Sequence, residues 1–259
     1  MRFGICTKPE NLSVLERLGY DYIELEVVST MGLSREEISS FQRQLAASRV
    51  KCEAFNVLFP GTMTLLDGSI GDEELKEYLR KAMALVNEFG AKTLVFGSGK
   101  CRRCPDDVAF GQAYRKLISI YRMAGEAAGK YGIQVVIEPL SRSETNMICT
   151  MLEGAMLEAD VDHPNVGLLS DFYHVIANHD RIEDIEAIKK LGHVHIAAAR
   201  GRRYPTSMEG EEYEAFFRSL KAIGYDGRVS IEGKTENIEE DGALALELLK
   251  KLEAQTLMK

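Results

Sequence analysis

The sequence has little of what a nucleic-acid-binding, secreted or membrane protein requires. Its 259 residues include 32 Lys and Arg against 40 Asp and Glu, a net charge of −8, so there is no basic excess to bind phosphates. No window approaches eighteen consecutive apolar residues, and the first six residues lack the apolar stretch of a secretory signal. We therefore expect a cytoplasmic protein with neither a nucleic-acid nor a membrane partner.

Cysteine is also scarce, and its five positions form no even, regular disulfide framework. This usage is typical of a reducing compartment. Cys101 and Cys104 form a C-x-x-C pair, but no second pair of cysteines or histidines accompanies them, as a structural zinc site would require. We interpret them as ordinary loop thiols. A redox pair is the alternative, because Arg102 and Arg103 would lower a thiol pKa.

Two common phosphate-binding motifs are missing. No G-x-G-x-x-G follows the first β-rich run, which argues against a dinucleotide-binding open sheet. Residues 97–100, Gly-Ser-Gly-Lys, echo a P-loop, but Leu94 replaces its first glycine and Cys101 replaces its magnesium-binding Ser or Thr. A nucleotide site is not expected there, although the loop amides could still bind a sugar or phosphate oxygen.

The chain does contain a regular alternation of β-rich and helical patterns. Ser34 begins a capping box, another helical pattern runs from Gly71 to Gly90, and glycines at 19, 90, 132 and 224 stand where helices end before strands. A chain of this length fits one α/β barrel. We predict a single-domain (β/α)8 TIM barrel spanning residues 1–259, with strands at residues 2–7, 20–27, 50–57, 93–96, 134–138, 166–171, 193–197 and 228–232.

Three of these apolar runs end in a carboxylate that can bind a metal, Glu138, Asp171 or Glu232, and a fourth carries the metal-binding side chain His195 near its end. A strand buried on both faces would end in an apolar residue if packing alone chose it. In a barrel, the carboxyl ends of the strands meet on the face that carries the active site. Three carboxylates and one imidazole suit Mn, Mg, Co or Fe(II) better than they suit a structural zinc.

The motifs around these residues resemble those of the xylose isomerase-like sugar isomerase/epimerase superfamily. They are IEPLSRSE at 137–144, LSDFYH at 169–174, GHVH at 192–195 and IE at 231–232, in that order, and the likeness covers nearly the whole barrel. Within the superfamily, the pattern looks most like ketose 3-epimerases of the tagatose/psicose type. It departs at residues 197–199, Ala-Ala-Ala, where epimerases usually carry a Gly-Glu pair.

The resemblance implies a ligand set and substrate contacts. One divalent ion, Mn, Mg or Co, with Zn or Fe as alternatives, would be bound by Glu138, Asp171, His195 and Glu232. Contacts to the oxygens of a sugar or sugar-derived substrate are implied for Glu144, His174 and Arg202. Assembly as a homo-dimer or homo-tetramer is a further expectation from the resemblance.

Such a site can move a proton next to a carbonyl. A divalent ion that chelates the carbonyl and adjacent hydroxyl stabilises the enediolate. Glu138 and Glu232, on strands five and eight, would face each other across the barrel and serve as the acid/base pair, with Asp171 and His195 as ligands only. Return of the proton to the opposite face is epimerisation, and return to the neighbouring carbon is aldose–ketose isomerisation.

Other functions remain open on the sequence alone. An inosose dehydratase or a hydroxypyruvate isomerase could use the same metal site. Three arginines could also bind the anionic group of an acidic or phosphorylated substrate: Arg200, Arg202 and Arg203. A non-catalytic sugar-binding barrel is a third possibility. An endonuclease IV-like nuclease is disfavoured. Its three-zinc cluster needs histidines from strands two to four, and this sequence has no histidine before His163.

Four further polar residues lie on predicted strands. Glu24 and Glu26 share one face by strand alternation, and Glu24 is the better candidate to line the pocket. His193 is either a partner that supports a metal ligand or a core residue. Asn56 is either a substrate contact or a turn cap.

Overall fold

The computed structural model describes residues 1–188 and 190–257. Eight parallel strands pair in chain order, and β8 pairs with β1, so the sheet closes into a barrel. The predicted (β/α)8 architecture is confirmed, and each strand lies within its predicted run. The strands are β1 (Arg2–Cys6), β2 (Tyr22–Glu26), β3 (Lys51–Asn56), β4 (Thr93–Phe96), β5 (Gln134–Ile137), β6 (Val166–Asp171), β7 (His193–Ile196) and β8 (Arg228–Ile231).

Helices surround the barrel and cover its outer face with the main apolar core. Among the described residues, no helix is long and apolar enough to cross a lipid bilayer. Short 3-10 segments occur at Pro9–Asn11 and Ile182–Ala187. The α-helices are α1 (Leu12–Leu18), α2 (Val27–Met31), α3 (Arg35–Ala47), α4 (Asp72–Glu88), α5 (Phe110–Gly129), α6 (Met151–Val161), α7 (Phe172–Ala177), α8 (Tyr213–Ala222) and α9 (Ile238–Leu257).

The helix-boundary signals in the sequence act as predicted. The Ser34 hydroxyl accepts from the Glu37 amide, and the Glu37 carboxylate accepts in return from the Ser34 amide, which completes the capping box of α3. Gly90 follows the C-cap of α4 with φ +78°, a conformation in which a side chain would be strained. The equivalent glycines at 19, 132 and 224 also have positive φ.

The interior of the barrel is divided into an apolar and a polar half. Val95, Val136 and Leu169, on the adjacent strands β4 to β6, form a small apolar cluster of their own, separate from the main core. On β2, β7 and β8 the barrel encloses Glu24, His193 and Ser230, all with 0% exposure. Val136 and Leu169 come two residues before Glu138 and Asp171, and His193 and Ser230 come two residues before His195 and Glu232, so by strand alternation each pair shares the inner face.

Candidate metal centre and substrate pocket

The four strand-end residues converge at the carboxyl end of the barrel. Glu138 directly follows β5, Asp171 ends β6, His195 lies in β7, and Glu232 directly follows β8. Each offers one ligand atom, and these atoms all lie within 4.8 Å of one another. Three of the residues are buried, while the Glu232 side chain keeps 21% exposure.

Strand register brings these residues to one level. Asp171 on β6 is paired with His195 on β7, so their side chains leave the sheet side by side. His195 in turn pairs with Ser230 of β8, and the Glu232 amide donates to the Ile196 carbonyl at 3.1 Å. Because alternate residues of a strand point to the same face, Glu232 lies on the same inner face as Ser230.

The His195 ring joins the carboxylates above it to the polar network below it. Its Nδ1 lies 3.2 Å from Oε1 of Glu138 and 3.5 Å from Oε2 of Glu232. Its Nε2 lies 3.0 Å from Oε1 of Glu24. Nδ1 is therefore the ring nitrogen that faces the candidate metal centre.

Arg202 reaches into the same group of carboxylates. Its Nη2 donates to Oε2 of Glu232 and lies 3.7 Å from Oδ2 of Asp171, while its Nη1 donates to Oε1 of Glu144 at 3.2 Å. The guanidinium carbon lies 4.9 Å from the centre of the Tyr173 ring. Although burial opposes its charge, the surrounding carboxylates, with Glu232 foremost, raise the pKa of Arg202.

The carboxylates have different proton affinities. Burial, and then the neighbouring charge of Glu232, raises the pKa of Glu138, and burial raises the pKa of Asp171 to about 7. Burial alone would also raise the pKa of Glu232, but His195 and Arg202 outweigh it and lower that pKa to about 2. Near neutral pH the site therefore contains one firmly ionised glutamate opposite one that holds a proton more tightly.

The donor set fits a hard divalent cation. Three carboxylates and an imidazole nitrogen supply the oxygen-rich ligands that Mn²⁺, Mg²⁺ and similar ions prefer. Among the described residues, none donates a hydrogen bond to the buried Oδ2 of Asp171. A buried carboxylate oxygen normally has a partner, and a cation would supply it while offsetting the repulsion among the carboxylates.

Binding of a metal should depend on pH, because its carboxylate ligands must lose their protons. With the pKa of Asp171 near 7 in the metal-free protein, we expect the dissociation constant for Mn²⁺ to rise about tenfold as the pH falls from 8 to 6. Calorimetric titration at several pH values, in buffers of different ionisation enthalpy, measures both the affinity and the protons released. An affinity unchanged over this range would contradict a protonated Asp171.

The three predicted substrate contacts lie around the rim of the cluster. His174 Nδ1 accepts from the Ser141 amide at 3.0 Å, and its Nε2 lies 3.5 Å from Oδ2 of Asp171. Burial lowers the pKa of His174 to about 3, so its ring is neutral. Glu144 Oε1 accepts from the Ser141 hydroxyl at 3.2 Å and from Arg202. The structure thus brings Glu144, His174 and Arg202 together beside the candidate ligands.

The arginines of the two basic loops differ in burial and in their contacts. Arg200 and Arg203 are exposed, and Arg203 pairs with Glu236 at 3.2 Å, so of the three arginines considered for an anionic substrate only Arg202 contacts the cluster. Arg102 is fully buried, and its Nη2 donates to the backbone carbonyl of Glu138. Sequence alone did not indicate this, because a loop arginine is usually solvated.

The Cys101 and Cys104 thiols are free and buried. Burial raises the pKa of Cys101 to about 11, which is opposite to the lowering that a reactive redox pair requires. The interpretation as ordinary thiols is therefore favoured over the redox alternative. The reason is that the loop packs Cys101 under the Phe59 and Pro60 carbonyls, away from solvent.

Two other polar residues from the sequence have defined contacts. Asn56 Nδ2 donates to Oε1 of Glu232 at 3.0 Å, so Asn56 supports a candidate ligand and does not cap a turn. Glu24 is directed inward, as the strand alternation predicted, and both of its oxygens contact histidines. His193 is buried and contacts Glu24, so it supports the candidate ligand His195 only through Glu24.

Comparison with known proteins gives a family match over almost the whole chain. The family model described as "Xylose isomerase-like TIM barrel" matches residues 12–254. The resemblance drawn from the motifs is thereby confirmed at the level of the family. Among solved structures, a D-psicose 3-epimerase crystallised in the presence of D-fructose superimposes with a TM-score of 0.86 at 19% identity, over 98% of this chain and 99% of that one. At that identity the likeness concerns the fold.

Curated relatives share more sequence. An L-ribulose 3-epimerase of Methylomonas sp. (strain DH-1) is 27% identical over 230 residues, which are 86% of this chain and 77% of the relative. A 3-dehydro-D-guloside 4-epimerase of Escherichia coli (strain K12) is 32% identical over 123 residues, 46% of each protein. The match to the second relative thus spans about half of its length. The two relatives are named for epimerisation at different carbons.

Proposed function

The chain belongs to the xylose isomerase-like TIM-barrel family, and on that premise we propose that it is a divalent-metal-dependent sugar epimerase/isomerase, an enzyme of the isomerase class. The observation that carries the proposal is the pair Glu138 and Glu232. Both carboxylates approach the same His195 nitrogen, and their surroundings shift the two pKa values in opposite directions. Opposed shifts within one site are typical of an acid and a base that act on one substrate.

The proposed roles follow from these surroundings. A divalent cation held by Glu138, Asp171, His195 and Glu232 would supply Lewis acidity to a substrate carbonyl. Glu232, ionised and partly exposed, is suited to remove a proton from the carbon next to that carbonyl. Glu138, buried and with a raised pKa, is suited to deliver a proton from the other side. In the reverse direction the two residues exchange these roles.

Substrate orientation is assigned to the rim residues. Arg202 now donates to both Glu232 and Glu144, and we infer that it transfers one of these bonds to a substrate hydroxyl or carbonyl. Glu144 would accept from a hydroxyl. The neutral His174 accepts from the Ser141 amide at Nδ1, so it carries its proton on Nε2 and can donate from there. A ketose presents the required series of adjacent oxygens, which is why a ketose is the proposed substrate class. Localisation in the cytoplasm and assembly as a dimer or tetramer stay predictions.

Deuterium incorporation tests the proposal directly. The Mn²⁺-loaded protein is incubated in heavy water with a panel of ketoses, small keto-acids and sugar phosphates. The metal is then removed, and NMR identifies the carbon that has acquired deuterium. We expect exchange at one carbon of a ketose, together with formation of the epimer. Exchange limited to a three-carbon hydroxy-keto acid would favour the hydroxypyruvate isomerase alternative. Absence of exchange across the panel, with metal bound, would overturn the proposed reaction on these substrates.

A further inference from the structure

A buried carboxylate supports the candidate metal ligand His195 from below. We propose that Glu24 is a positioning residue, which fixes the His195 ring so that Nδ1 is presented to the metal and Nε2 is held as a hydrogen-bond donor. The inference rests on the proposed function only in taking the four-residue cluster as the metal site. It concerns how this chain builds that site and does not depend on the substrate.

Glu24 is shared between two histidines. Its Oε1 lies 3.0 Å from Nε2 of His195, and its Oε2 lies 2.8 Å from Nε2 of His193. Glu24, His193 and His195 all have 0% exposure. An ionised carboxylate can only accept hydrogen bonds, so each histidine must contribute its Nε2–H. The other nitrogen of His195, Nδ1, is then the one directed to Glu138 and Glu232.

Further hydrogen bonds satisfy the Glu24 carboxylate. The Ser230 hydroxyl donates to Oε2 of Glu24, and the Tyr22 hydroxyl lies 2.7 Å from the same serine oxygen. A carboxylate removed from water so completely is costly unless its lone pairs are bonded. Three side chains from β7 and β8 supply those bonds. Histidines that bind metals commonly donate their second ring nitrogen to a carboxylate, and this contact fixes both ring orientation and tautomer.

A competing role for Glu24 also follows from the geometry. Cys6, Glu24 and His195 offer ligand atoms within 4.8 Å of one another, and the Cys6 Sγ lies 4.0 Å from Nε2 of His195. A cation between them would replace the hydrogen bond from Nε2 to Glu24. The two roles differ in stoichiometry, since positioning requires one ion per chain and a second site requires two.

Metal titration of Glu24→Gln tests the positioning role. Glutamine keeps the size of the side chain but offers only one acceptor oxygen for two Nε2–H donors. We expect wild-type protein to bind one Mn²⁺ per chain, and the dissociation constant of Glu24→Gln to rise about 10- to 100-fold. The control is Glu26→Gln, at the exposed end of the same strand, which should leave the affinity unchanged. Circular dichroism establishes that the variants are folded.

A second measurement reports the ring itself. Long-range ¹H–¹⁵N NMR of Mg²⁺-loaded protein with ¹⁵N-labelled histidine shows which ring nitrogen carries the proton. In the wild type we expect His195 to carry its proton on Nε2, and in Glu24→Gln we expect this fixed tautomer to be lost. Ser230→Ala removes one donor to Glu24 while keeping the carboxylate, so it serves if Glu24→Gln does not fold. Its dissociation constant should rise about threefold.

Several outcomes would overturn the inference. An affinity in Glu24→Gln within twofold of the wild type, with the same His195 tautomer, would show that Glu24 does not position the ring. Two ions per chain, falling to one in Glu24→Gln or Cys6→Ser, would assign Glu24 to a second metal site. Failure of deuterium exchange on every substrate would count against the proposed function, whereas the affinity and tautomer results would still decide the role of Glu24.

Discussion

Replacing either candidate acid/base residue, as Glu138→Gln or Glu232→Gln, is expected to lower kcat for epimerisation by about 10³-fold or more. The amide can neither accept nor deliver the proton, although it keeps an oxygen for the metal. The variants should remain folded, since each change keeps the shape of the side chain. Activity is measured at saturating Mn²⁺, with bound metal quantified, so that loss of the ion is not mistaken for loss of the proton transfer.

The two variants should also differ from each other in isotope exchange. If one glutamate serves each face of the substrate, Glu232→Gln retains solvent exchange in one epimer and Glu138→Gln retains it in the other, while neither interconverts the two. Glu236→Gln, an exposed carboxylate paired with Arg203, is the control and should match the wild type. Loss of exchange in both epimers from one variant alone would indicate that a single glutamate acts on both faces.

The fold was readable from the sequence because its signals are local. Each strand is a short apolar run, and each helix end carries a chemical marker, as at Ser34 and Gly90, which acts within a few residues of chain. Polar residues at strand ends, such as Asp171, were readable for a related reason. Barrel geometry brings the ends of all strands to one face without any knowledge of which side chains touch.

The contacts of the charged residues that support the site could not be predicted from the sequence. Glu24 contacts His193 and His195 across 169 and 171 residues of chain, and nothing local marks that pairing. Arg102 is a similar case, because its loop position suggested a solvated cation, yet the side chain is buried against the Glu138 carbonyl. In both, tertiary packing decided the environment of a charged residue.

Gly97 belongs to the loop that echoes a P-loop, but its role in the structure is different. Gly97 directly follows β4, and Glu138 directly follows the neighbouring strand β5. A Cβ added there would lie 2.0 Å from Oε2 of Glu138 and 3.1 Å from its Cδ. Real carbon atoms do not approach a carboxylate oxygen so closely, so the glycine is needed for the carboxylate to occupy its place.

Gly97→Ala should therefore displace the Glu138 carboxylate and lower kcat by about 10²-fold, the typical effect of misplacing a reacting group by about 1 Å. The backbone at Gly97 is not in the left-handed region, so alanine is compatible with the local fold. The control is Gly111→Ala in α5, where the added carbon would lie 3.6 Å from a flexible arginine end. That variant should keep wild-type activity.

A double variant separates the steric cause from a general disturbance of the loop. Glu138→Asp withdraws the carboxylate from Gly97, so the clash that Gly97→Ala introduces should largely disappear in that background. We expect Gly97→Ala with Glu138→Asp to be about as active as Glu138→Asp alone, which is the non-additivity that contacting residues show. If the two losses simply multiply, Gly97 acts through the loop and not through the position of Glu138.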